Sequence, residues 1–78
     1  MSDDLAAIAE RVAVGIREQT KNMQGKVKCL MKAFETRISL MEGMSESKAR
    51  LQMKEIECYV NKTSVKFEAM VKAINNCY

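Results

Sequence analysis

The 78 residues amount to one domain at most, a size at which a lone hydrophobic core is marginal and oligomers, metals or disulfides commonly assist. There is no Pro, Trp or His, only two Tyr, two Phe and three Gly, and a composition of this kind favours helix almost everywhere. Without His there is no ordinary Ser-His or Cys-His dyad and no usual zinc set, and the net charge of +3 neither demands nor excludes a nucleic-acid partner.

At the start of the chain, Asp3 and Asp4 stand where a signal peptide needs positive charge, and Glu10 and Arg11 interrupt the apolar residues that follow. No run reaches the roughly 18 apolar residues of a membrane span, so the chain reads as soluble and cytoplasmic. From Leu5 the apolar positions run through Ile8, Val12, Ile16, Met23, Val27, Leu30, Phe34, Ile38 and Met41 in steps of three and four, with Gln19 the one polar member. Leu5, Ile16, Val27 and Ile38 are eleven apart, about 3.67 residues per turn. This phase predicts one helix over about 3–42, roughly 60 Å long. Ser2 is its expected N-cap, and Gly43 the left-handed residue of a Schellman-type stop. A break near 22–25, where Asn22 and Gly25 are poor helix formers, gives a three-helix alternative.

The stretch GMSES, residues 43–47, reads as a turn with Ser45 or Ser47 capping the next helix. That helix, about 47–76, carries Met53, Ile56, Val60, Thr63, Phe67, Met70, Ile74 and Cys77 in a heptad-like seam. Folding at the turn gives an all-α antiparallel helical hairpin, a single domain over 1–78, pairing Met41 with Met53, Phe34 with Ile56 and Leu30 with Val60. Leu5 and Ile8 then lie beyond the end of the second rod. Leu51, Cys58 and Val65, spaced by seven, form a second apolar row opposite the seam. Together these five residues predict a protein interface. The hairpin is expected to assemble as a homo-oligomer, a dimer first of all, in a four-helix bundle or coiled coil.

Arg17, Lys21, Lys28 and Lys32 share an arc of the first predicted helix, a basic stripe about 22 Å long suited to nucleic acid or an anionic membrane. No aromatic residues interleave with it, so a solvated face is the simpler reading. Cys29, Cys58 and Cys77 lack zinc-like spacing and read as reduced, packed thiols. No Gly-rich phosphate loop is present, and neither a cofactor nor catalysis is implied. The sequence thus predicts a non-enzymatic adaptor or inhibitor that self-associates and binds a larger protein, with anion binding as the alternative.

In outline, a hairpin of this size resembles the needle subunits of type III secretion systems, whose carboxy-terminal helix mediates polymerisation. YVNKTSVKFEAMVKAI, residues 59–74, has a loosely similar texture, although the proline-bounded turn of many such subunits is absent. Small phage-encoded inhibitors share the size class. Both likenesses imply a helical partner-binding role.

Overall fold

A computed structural model describes residues 2–23, 25–62 and 64–76, the side chains of residues 2 and 3 excepted. Among them the chain forms four helices and no strand: α1 (Ser2–Thr20), α2 (Lys26–Met41), α3 (Glu46–Val60) and α4 (Phe67–Asn75). The all-α class holds, but each of the two expected rods is broken. Seam positions Thr63 and Cys77 and the capping side chain of Ser2 lie outside the described residues.

The first break follows from residues that compete with the helix ladder. The Thr20 hydroxyl donates to the Ile16 carbonyl, a back-bond that weakens helix continuation. Three-residue bonds then tighten the chain, from Met23 N–H to the Thr20 carbonyl at 2.9 Å and from Lys26 N–H to the Met23 carbonyl at 3.1 Å. Gly25 completes the turn at φ 81°, a conformation that L side chains rarely adopt. The break of the three-helix alternative is therefore present, and a second accompanies it.

That second break falls between Val60 and Phe67, where Asn61 caps α3 and the short polar and β-branched residues of the sequence after it are weak helix formers. Lys66, extended at φ −82° and ψ 160°, opens α4. The turn between α2 and α3 lies where expected, with Ser45 Oγ accepting from the Lys48 N–H at 3.4 Å. Gly43 is not its left-handed residue, however. Glu42 closes α2 in ordinary right-handed geometry, and the Met44 N–H reaches the Met41 carbonyl at 3.0 Å.

With both rods folded back, α1 and α3 run parallel and in constant register. Asp4 pairs with Arg50 at 3.0 Å and Arg11 with Glu57 at 2.6 Å, and Gly15 backs onto Val60 and Asn61. The α2 and α4 helices are also parallel: Lys26 Nζ lies 5.1 Å from the centre of the Phe67 ring, and the Arg37 guanidinium reaches the Ile74 and Asn75 carbonyls. Around the bundle the order is α1, α3, α4, α2, which leaves α2 and α3 diagonal. The expected pairing of α2 on α3 is thus replaced by α1 on α3. The molecule measures 35 × 17 × 17 Å rather than the length of a 60 Å rod.

The core takes Ile8, Val12 and Ile16 from α1, Leu30, Phe34 and Met41 from α2, Ala49, Met53, Ile56 and Val60 from α3, and Met70 and Ile74 from α4. Each large apolar side chain so enclosed contributes about 1.5–3 kcal/mol against exposure. Ile8, expected to lie beyond its partners, is fully buried, and Leu5 is half-buried against the same core. The physical reason is the shortened fold, which brings the start of α1 beside α3.

Candidate functional site

Two surfaces are built by this arrangement, the outward face of α3 and the end of the bundle that carries both inter-helix breaks. On α3, the inner arc of Ala49, Met53, Ile56 and Val60 leaves Leu51, Glu55 and Cys58 on the opposite side. Leu51 is 71% exposed, more than the other exposed large apolar residues, Leu40, Val14 and Tyr59. Lys48, Lys54 and Glu55 surround it. Tyr59 extends this face toward α4, bordering a groove of about 330 Å³ lined also by Glu55, Lys72 and Ala73.

Of the five predicted interface residues, only Leu51 and Cys58 stay together on this face. Val65 does not join them, because α3 ends at Val60 and Val65 turns in against the core from the following connection. Ile8 belongs to the interior, and Leu5 borders a separate apolar groove with Ala6, Ala9 and Ile38. Cys29 and Cys58 are exposed free thiols rather than packed ones. The Cys58 thiol stands outward because residue 58 falls opposite the buried arc of α3.

Arg17, Lys21, Lys28 and Lys32 are all exposed, yet they do not form a stripe. The chain reverses after Thr20, so Lys28 and Lys32 run back along a second helix. Sequence periodicity missed what replaces the stripe. Both breaks lie at one end, and they add Lys26, Lys62 and Lys66 to Arg17, Lys21 and Lys28 there, all six exposed. Two acids share this end, Glu18, 3.9 Å from Lys21, and Glu68 in the first turn of α4. The signal that would have found this end was Lys62 and Lys66 on either side of the weak helix formers Thr63, Ser64 and Val65.

Elsewhere charge is spent on joining helices. Arg11, exposed on α1, is bonded by the Glu57 carboxylate on α3, which holds its guanidinium above the ordinary value. No helix among the described residues is long and apolar enough to cross a membrane. No protein-family model, curated protein or solved structure matches the chain.

Proposed function

We propose that the chain is a non-enzymatic interaction module that self-associates along the outer face of α3 and uses the resulting surface to hold or block a larger protein. The observation that carries this reading is Leu51, 71% exposed at the middle of α3 while the core closes without it. Charge favours a second copy as the first occupant. An antiparallel pair of α3 helices centred between Lys54 and Glu55 sets Lys54 against Glu55 of the second copy and Leu51 against its Cys58.

Such an interface is small. Burying Leu51 contributes about 1.5–3 kcal/mol per copy, against an association cost of at least about 4 kcal/mol. A concentration-dependent dimer of two four-helix units follows, rather than an obligate one.

Light scattering across a concentration series tests the reading. The parent chain is expected to gain mass with concentration, and Leu51→Glu to remain monomeric with its helicity retained. Association of Leu51→Glu equal to that of the parent would refute it. Val65→Glu, by contrast, reports on stability, since Val65 packs on the core.

A further inference from the structure

The net charge of +3 conceals a segregation that only the fold produces. Because α1 runs parallel to α3 and α2 to α4, the C-termini of α1 and α3 and the N-termini of α2 and α4 lie at one end. Arg17, Lys21, Lys26, Lys28, Lys62 and Lys66 converge there, with Glu18 3.9 Å from Lys21 and Glu68 in the first turn of α4. The opposite end mixes Asp4, Glu42 and Glu46 with Lys48 and Arg50, and Arg50 is bonded to both Asp4 and Glu46.

Helix dipoles do not set the sign at the basic end. Two N-termini, of α2 and α4, and two C-termini, of α1 and α3, meet there and offset one another. The side chains decide.

From this end we infer a second binding surface, independent of the α3 face: a peripheral site for an anionic phospholipid bilayer, docked end-on through these six basic residues. Clusters of four to eight Lys or Arg are what acidic lipid surfaces attract. Shape favours a plane over a nucleic-acid groove. The molecule is about 17 Å across in both short directions, wider than the roughly 12 Å major groove. The two nearby rings are engaged by lysines instead of standing free as base-stacking platforms: Phe67 is half-buried under Lys26, and Lys62 Nζ lies 5.7 Å from the Tyr59 ring centre. Attachment is electrostatic and reversible, since each basic side chain at such a surface contributes about a five-fold gain in partitioning.

Vesicle co-sedimentation of the full chain tests this, below any concentration at which it self-associates. Vesicles of phosphatidylcholine with 30% phosphatidylserine are compared with phosphatidylcholine alone, in about 0.1 M and about 0.5 M NaCl. Binding is expected only to the acidic vesicles, with at least a ten-fold loss at the higher salt. Lys26→Glu/Lys62→Glu/Lys66→Glu should lose at least 100-fold. Lys48→Glu/Lys54→Glu/Lys72→Glu, equal in charge change but away from this end, should stay within about three-fold of the parent. Circular dichroism checks both triples for folding. If the first is unfolded, Lys62→Gln and Lys66→Gln are each expected to lose about five-fold. Absent or salt-insensitive vesicle binding, equal losses in both triples, or tighter binding to a 20-nucleotide DNA than to the vesicles would each overturn the inference.

Discussion

The two parallel helix pairs are joined by different means. Between α1 and α3 the helices pack so closely that a Cβ on Gly15 would run into the Val60 and Asn61 side chains, and ion pairs at Asp4–Arg50 and Arg11–Glu57 follow the same register. Between α2 and α4 long side chains span the gap, with Arg37 capping the end of α4 and Lys26 lying over Phe67. The difference follows from length. The fifteen-residue α3 has turns enough to lie along α1, whereas the nine-residue α4 depends on reach from its neighbour.

The α2–α4 side is broken most severely at Phe34, the largest fully enclosed side chain. Phe34→Ala should cost about 3–5 kcal/mol in urea unfolding, the range for emptying an aromatic core site. In a domain this small that leaves much of the population unfolded. A cost below about 1 kcal/mol would mean that α2 does not anchor the core as described.

Arg37→Met separates capping from packing, because the aliphatic stem remains while the donors to the Ile74 and Asn75 carbonyls are lost. Freed carbonyls at a helix C-terminus and a lost favourable charge there predict about 1–2 kcal/mol. Hydrogen exchange should show the loss in α4 first, with the middle of α1 and α3 little changed. Uniform acceleration across all four helices would show that the two pairs are one cooperative unit.

The inward faces were legible in the sequence, while the connectivity of the core was not. Of the two apolar seams read from spacing, Ile8, Val12, Ile16, Leu30, Phe34, Met41, Met53, Ile56, Val60, Met70 and Ile74 are buried, and Leu5, Met23, Val27, Ile38 and Phe67 are half-buried. Periodicity reads phase, and the phase happens to continue across 21–25 although residues 21–23 and 25 are not helical. An in-phase break is invisible to a pattern test and visible only in local chemistry, in Thr20, Asn22 and Gly25. The same blindness hid the basic end. Lys62 and Lys66 fall inside the expected second helix, whereas in the structure they lie between α3 and α4. Arg37 had no signal at all, since its partners are backbone carbonyls 37 and 38 residues away.

The α1–α3 side is tested most finely at Gly15, where two effects oppose each other. Alanine in a helix interior gains about 0.5–1 kcal/mol over glycine. Against this, the new Cβ would stand 2.8 Å from Val60 Cγ1 and clash with the Asn61 carboxamide. The carboxamide is exposed and can swing away, but Val60 is fully buried and stiff about χ1, so helices must part. Overpacking of this kind typically costs about 1–3 kcal/mol, and Gly15→Ala should therefore destabilise by about 1 kcal/mol net. Adding Asn61→Ala should recover less than half of that loss. Fuller recovery would move the obstacle from Val60 to Asn61 and make the approach of α1 to α3 a surface contact. Gly43→Ala, in open space with ordinary φ, is the matched control and should gain about 0.4–1 kcal/mol by restricting the unfolded chain. If both glycines respond alike, the tight packing of Gly15 against Val60 is not what distinguishes the α1–α3 pair, and length alone would have to account for its register.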